Sequence, residues 1–406
     1  MSLIIERPDE VQNIAGTKKW TIVFGRRKTG KSFLVENNVK YDDYYFVNRD
    51  RTIISKKDGK SMTYDTFSVI LKKRIEDDET VVIDEFHRLG ENFMDYLHSS
   101  KKSGRIILLT STLFMARRLL SGKSPLLGLF HEVQIPLISL KETLHTLRKS
   151  GLEKDQLLEL AIFFREPITI DYFNQKENPR RTISRILIGA INSIPALLGE
   201  IFLEEERGLS FIYEGIIRAV ADGKVNSGEV ADFLYSSGLL KKNDPSLVQP
   251  YMNILLKLGI LKRLRVYPKN RFVYKIDSPL IRLFFYADQK YGISERSISI
   301  EEAGRIVDEV MPRIVEDTVR EAFAQKYGLE EAVLQSGDYE IDGCLLKFNK
   351  PAVLLEVKWT KKLNEKDIRI IEEKLSFSEL KEKLLFTKDR DGLHSKTIKI
   401  CDIDYL

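Results

Sequence analysis

The stretch Gly25-Arg26-Arg27-Lys28-Thr29-Gly30-Lys31-Ser32 decides the reading of this chain. It has the form G-x-x-x-x-G-K-[ST], a phosphate-binding loop. Before it runs Trp20-Thr-Ile-Val-Phe24, β-branched and aromatic, which reads as a strand. After it, Phe33-Leu-Val-Glu can begin a helix. Strand, glycine loop and helix N-terminus are the context the motif needs. Glycines let backbone N–H groups turn inward around a phosphate, and the helix terminus adds positive potential. Lys31 reaches the β and γ oxygens, and Ser32 offers its hydroxyl to Mg²⁺. ATP and Mg²⁺ are therefore the expected ligands. Arg26, Arg27 and Lys28 add charge inside the loop. They lie beside the phosphates or face a partner subunit, and both placements stand.

Outward from the loop, Thr80-Val-Val-Ile-Asp84-Glu85-Phe86 is a short apolar run ending in two carboxylates. Runs of this kind are buried parallel strands. Asp84 is expected across from Ser32, holding the Mg²⁺ shell, and Glu85 is expected to polarise the attacking water. A further buried strand, Arg105-Ile-Ile-Leu-Leu-Thr110, ends at Ser111. Ser111 is a candidate γ-phosphate sensor or an ordinary helix cap. Residues 40–48 and 130–139 supply further strands, and Thr63 to Arg74 a helix. Residues 7–12 are expected to frame the adenine. Strands alternating with helices over 18–140 give an α/β, mostly parallel sheet, with ligands at the carboxyl ends of its strands.

The bulk numbers fit this. The chain has 406 residues, enough for two to four domains, with 43% hydrophobic and 31% charged residues and a net charge of +5. Lys, Arg and Glu dominate the charge, as on thermophile surfaces. No apolar run is read as membrane-spanning and the first residues lack a signal-peptide plan, so a cytoplasmic protein is expected. Cys344 and Cys401 give no disulfide framework and no metal spacing.

Phe24-Gly-Arg-Arg-Lys-Thr-Gly-Lys-Ser32, Ile83-Asp-Glu-Phe86, Leu109-Thr-Ser-Thr112 and Ser124-Pro-Leu-Leu-Gly128 together resemble the archaeal-type ATPase family, in the AAA-like, signal-transduction branch of P-loop NTPases. Gly189-Ala-Ile-Asn-Ser-Ile-Pro195 is similar to that family's lid segment. The resemblance implies an αβα sandwich that binds and hydrolyses ATP. It also leaves open a homo-oligomer. His87 stands where Gln is common, and Leu129 where an Arg usually follows. Arg117 or Arg118 would have to replace that arginine.

The rest of the chain divides by pattern. A P-loop core is expected over 1–140 and a helical lid over 141–206. Over 207–292, three helices (Phe211 to Ala221; a short one capped at Asn226; Asp244 to Gly259) precede strands 260–267 and 272–276, the plan of a winged helix. Nine basic residues fall between Lys241 and Lys275 (241, 242, 257, 262, 263, 265, 269, 271, 275) against one acid, Asp244, a local net of +8. The cluster suits a DNA backbone, a solvated face, or a dock for an acidic domain.

Over 293–406, a helix from Ile300 to Tyr327 is expected to restart near Pro312. One strand is expected over Tyr339 to Phe348. A second, Ala352-Val-Leu-Leu-Glu356-Val-Lys358, puts Glu356 and Lys358 on one face. Asp342 can reach Glu356 across the hairpin. Two carboxylates can hold Mg²⁺ while a nearby lysine orients water. With Glu316 on the preceding helix, this order resembles the PD-(D/E)xK restriction-endonuclease-like fold. That resemblance implies a nuclease-like site of Glu316, Asp342, Glu356 and Lys358, working or reduced to a scaffold.

Overall fold

A computed structural model describes residues 3–100, 103–113, 116, 126, 128–204, 210–336, 339–360, 363–376, 378–380 and 382–406. The chain forms two compact units. One comprises Glu6–Leu137 with Leu197–Leu209, and the other Met1–Ile5, Ile138–Ala196 and Ser210–Leu406.

The first unit is built on a seven-stranded sheet. In chain order its elements are α1 (Pro8–Ala15), β1 (Trp20–Phe24), α2 (Lys31–Asn38), β2 (Asp43–Val47), β3 (Ile53–Ser55), β4 (Ser61–Met62), α3 (Tyr64–Glu76), β5 (Thr80–Asp84), α4 (Glu91–Ser99), β6 (Arg105–Thr110) and β7 (Phe130–Gln134). The strand order is β4-β3-β2-β5-β6-β1-β7. The five strands from β2 to β7 run parallel, and β3 and β4 add an antiparallel edge.

Strand periodicity explains the layers. Ile22, Ile83 and Leu108 face one apolar cluster, with Phe67 and Leu71 of α3 and Phe93 and Leu97 of α4. Val23, Val82 and Ile107 face the other, with Ile14 of α1 and Leu34 and Val35 of α2. Both faces of the central strands are covered, hence their unbroken apolar runs. Truncating one of these side chains to Ala costs about 2–5 kcal/mol. The parallel order puts the ends of β1, β5 and β6 side by side, with β6 between the other two.

The second unit begins with α5 (Leu140–Leu147), α6 (Lys154–Phe163) and α7 (Pro179–Glu204), whose last turns belong to the first unit. Helix α7 corrects one sequence expectation. Pro179–Leu203 is long and apolar enough to cross a membrane by length and composition, and 44% of its most apolar window is buried inside the protein. Arg180, Arg181 and Arg185 lie on it, and Ile183, Ile186, Leu187, Ala190 and Ile194 form its buried stripe. A core helix has this mixed character.

Next come α8 (Phe211–Ala221), α9 (Ser227–Ser236), α10 (Pro245–Lys257), β8 (Leu261–Tyr267) and β9 (Arg271–Ile276), close to the boundaries read from sequence. Asn226 and Glu229 form a reciprocal capping box at α9. Helices α11 (Pro279–Tyr291) and α12 (Ile300–Tyr327) follow. Helix α12 does not restart at Pro312 but runs through it. Burial of Val310, Met311, Ile314 and Val315 around the proline outweighs the lost hydrogen bond.

The single strand expected over 339–348 is two. They are β11 (Tyr339–Ile341) and β12 (Gly343–Lys347), in different sheets. With β10 (Ala332–Ser336), β11 extends the β8–β9 hairpin in the order β11-β10-β8-β9. Strand β12 begins a sheet of order β12-β13-β14-β15, with β13 (Lys350–Lys358), β14 (Glu382–Thr387), β15 (Lys399–Cys401) and α13 (Glu365–Ser376).

Candidate functional site

Gly25 opens the loop because nothing larger fits, since a Cβ there would lie 2.3 Å from the Ile135 carbonyl oxygen. Lys28 and Gly30 take left-handed backbone (φ 65° and 87°), which turns successive amides to one side. Lys31 is buried and donates to the carbonyl oxygens of Gly25 and Arg26, both at 3.0 Å. The Thr29 hydroxyl donates to the Arg26 carbonyl at 2.9 Å.

Sequence reasoning missed two braces of this loop. Arg7, read as part of an adenine frame, donates to the Thr29 carbonyl at 3.0 Å and to the Pro136 carbonyl at 3.0 Å, and is itself held by Glu10. Arg27 pairs with Glu200 on α7 at 2.6 Å. Arg26 is buried and Lys28 exposed.

The carboxylates lie at the end of β5, with β6 and its Ser111 between them and β1. Asp84 is buried; its Oδ1 accepts from the Glu85 backbone N–H at 2.9 Å and its Oδ2 from the Tyr44 hydroxyl at 2.7 Å. Burial first, then the Asp84 charge, push the Tyr44 phenol far above its ordinary range, so it stays protonated. Glu85 takes left-handed backbone (φ 56°, ψ 38°), a conformation costly for a residue with a Cβ. The Ser111 hydroxyl donates to both Glu85 oxygens, at 3.2 and 3.1 Å. His87 Nδ1 lies 3.4 Å and Arg88 3.9 Å from Glu85. Ser111, read from sequence as a phosphate sensor or a cap, thus holds the carboxylate read as the base.

His87 Nδ1 is also 3.0 Å from the Thr110 hydroxyl. Burial, then Arg88, Lys31 and Arg27, push its pKa down to about 4. It is neutral at physiological pH, so its contact with Glu85 is not an ion pair. The sign for stability follows. Above about pH 6.5, His87 is neutral both folded and unfolded. As pH falls towards 4, the unfolded chain binds a proton that the folded one refuses. Stability is then expected to drop by about 3 kcal/mol. Urea midpoints of the unaltered chain and of His87→Gln, each at pH 7 and at pH 4.5, isolate the His87 part, since the Glu316 carboxyl, pushed up to about 7, shifts stability the other way in both; the variant is expected to lose less on acidification.

The second cluster lies in the other unit. Glu356 is fully buried on β13, and its Oε1 accepts from Lys358 at 2.5 Å and from Lys374 of α13 at 2.6 Å. Its Oε2 has no hydrogen-bond partner. Asp342, at the β11–β12 junction, accepts from the Val357 N–H at 2.8 Å. Burial and the Glu356 charge raise its pKa. Glu316 is pushed up to about 7 by burial, then by Asp317 and Asp342. Burial opposes the Lys358 charge, but Glu356, Asp342 and Glu316 outweigh it and keep the lysine charged. The four residues expected together are thus electrostatically joined. Lys374 was not foreseen, because only tertiary packing brings α13 to β13. Among the described residues, no three of His, Cys, Asp and Glu gather to hold a metal.

Beneath this cluster lies Arg320, fully buried. It donates to Asp317 at 2.5 Å, Glu331 at 2.9 Å and the Asp342 carbonyl at 3.0 Å, with Glu316 at 3.5 Å. Asp317 also pairs with Arg282 and Lys275.

The basic stretch 241–275 is only partly a solvated face. Lys262 pairs with Glu321 at 3.0 Å and Glu331 at 3.4 Å, and Lys275 with Asp317 at 3.3 Å. Arg265 donates to Asn349 at 2.5 Å, and Arg271 to Gln335. Strand β8 is covered on its free edge by β10, with Arg265 opposite Ala332. The hairpin therefore docks on its own C-terminal region. Lys241, Lys242, Lys257, Arg263 and Lys269 remain exposed. Arg117 and Arg118, the alternatives to the missing arginine, lie outside the described residues, as do Ser124, Pro125 and Leu127 of the motif before Leu129.

Comparison with known proteins agrees with the geometry of the first unit. Residues 17–144 match a family model described as an AAA domain. No curated protein matches the sequence significantly. The chain is similar to the Walker-type ATPase PABY2304 of Pyrococcus abyssi, at 18% identity and a TM-score of 0.53, covering 70% of this chain and 96% of that one. More remote are the Aeropyrum pernix ORC2 protein in its ADPNP–ADP complexes (14% identity, TM-score 0.37, 75% and 90% covered) and a STAND protein with a tetratricopeptide repeat sensor, PH0952, from Pyrococcus horikoshii (15%, 0.32, 80% and 51%). The first unit thus carries an AAA-type, P-loop ATPase-like domain with a parallel sheet.

Proposed function

We propose that the chain binds ATP with Mg²⁺ at Gly25–Ser32 and hydrolyses it. The observation that carries this reading is the meeting of three features at the ends of adjacent strands: the glycine loop after β1, Asp84-Glu85 after β5 and Ser111 after β6. Loop amides and Lys31 bind the phosphates. The hard oxygens of Ser32 and Asp84 suit Mg²⁺, which takes few protein ligands and keeps water and phosphate oxygens. Bound there, the ion would neutralise charge on the β and γ phosphates. Glu85, oriented by Ser111, takes the proton of the attacking water. The test is ATP hydrolysis by the full chain against its Lys31→Ala variant.

A second reading concerns 293–406 as a restriction-endonuclease-like domain, with 207–292 as a winged helix and 141–206 as a lid. It is supported by Glu356 Oε2, a bare buried carboxylate oxygen on the strand beside Asp342. An orphaned oxygen of this kind fits a divalent cation. Asp342 and Glu356 would hold the ion, which would activate water, while Lys358 and Lys374 meet phosphate charge. DNA would lie on the exposed lysines of 241–269. Incubated with plasmid and Mn²⁺, the full chain is expected to cut DNA, Asp342→Ala is expected not to, and Lys31→Ala is expected to retain cutting. Intact plasmid throughout would leave a regulatory switch whose C-terminal unit binds without cutting.

A further inference from the structure

We infer that Tyr44 is a positioning residue for the magnesium corner of the nucleotide site, an assignment that rests on the ATP·Mg²⁺ reading above. Its place follows from register. On β2, Phe46 lies opposite Asp84 of β5, and Tyr44 lies opposite Val82, one pleat earlier on the same face. The long phenol covers that step and puts its hydroxyl 2.7 Å from Asp84 Oδ2. The ring has no freedom to leave. It is 1% exposed, shares a cluster with Leu34 and Val35 of α2, meets Tyr41 edge-on at 5.5 Å and lies under the Lys56 ammonium at 5.0 Å.

A phenol has one proton. Tyr44 gives it to the hydrogen bond with Asp84 Oδ2, so any hydroxyl meeting the Tyr44 oxygen must donate to it. Asp84, held by Tyr44 on Oδ2 and by the Glu85 amide on Oδ1, is fixed in one rotamer. The tyrosine orients Asp84, the carboxylate expected at the metal, without needing to touch the metal.

Two variants test this. Tyr44→Phe keeps the ring and removes one oxygen, so the packing survives. Mn²⁺ affinity of the complex with a non-hydrolysable ATP analogue, read by electron paramagnetic resonance, is expected to fall about tenfold or more. Affinity for the analogue without metal is expected to be unchanged. In an Asp84→Asn background, the same substitution is expected to add little. Unchanged or tighter Mn²⁺ binding in Tyr44→Phe overturns the assignment, as does a full additional loss in the Asp84→Asn background. Failure of the unaltered chain to bind the analogue at all would instead remove the ATP reading beneath it, so the two failures are distinguishable.

Discussion

Glu85→Gln is expected to lower ATP turnover by about 10²–10⁴-fold while leaving nucleotide affinity close to that of the unaltered chain. The amide keeps the shape of the side chain and can still meet the Ser111 hydroxyl, which donates to both carboxylate oxygens. What it loses is the capacity to accept a proton from water. The loop, Lys31 and Asp84 are untouched, so binding has no reason to change. Single-turnover hydrolysis separates the two quantities. A fall in affinity matching the fall in rate would mean that Glu85 acts on ground-state binding instead. Ser111→Ala is the milder companion. It frees Glu85 without removing its charge, so a smaller loss of turnover is expected.

Arg320→Met is expected to destabilise the second unit by about 3–5 kcal/mol, the usual cost of breaking a buried ionic network by removing one partner. Arg320 is 0% exposed. Burial opposes its charge, but Asp317, Glu331 and Glu316 outweigh that and hold it protonated. The same acids depend on it in return. Arg282 and Lys275 would still serve Asp317, but Glu316 would keep only repulsion from Asp317 and Asp342 together with the weaker pull of Lys275. Urea unfolding followed by tryptophan fluorescence near Trp359 measures the loss. A change below about 1 kcal/mol would show that the remaining cations compensate.

The nucleotide half was legible because its chemistry is local in sequence. Eight consecutive residues make the loop, and the carboxylates follow directly on an apolar strand, so period and motif suffice. What sequence could not give is what tertiary packing assembles. Arg7 reaches the loop across 22 residues, and Tyr44 reaches Asp84 across 40. Lys374 arrives from a helix 18 residues after Glu356. Tyr44 and Arg7 sit in ordinary strand and helix-flank patterns, where an aromatic or an arginine has many uses.

Errors in the C-terminal half have the same origin. Periodicity carries one strand straight through Asp342, but the chain turns there into a second sheet, and periodicity does not record a change of partner. Pro312 carries a strong local signal for a helix end, which buried contacts on both sides override. The stretch 241–275 is strongly basic, yet Lys262, Arg265, Arg271 and Lys275 have partners within their own unit. A local net of +8 is a property of sequence, and the exposed part of it is smaller.

The central claim is that Gly25–Ser32 serves ATP hydrolysis, and the most direct test is phosphate release by the purified full chain beside Lys31→Ala. The account predicts Mg²⁺-dependent release from the unaltered chain that disappears in the variant. Equal release from both, or none above the variant's background across Mg²⁺ concentrations and temperatures up to the unfolding point, would contradict it.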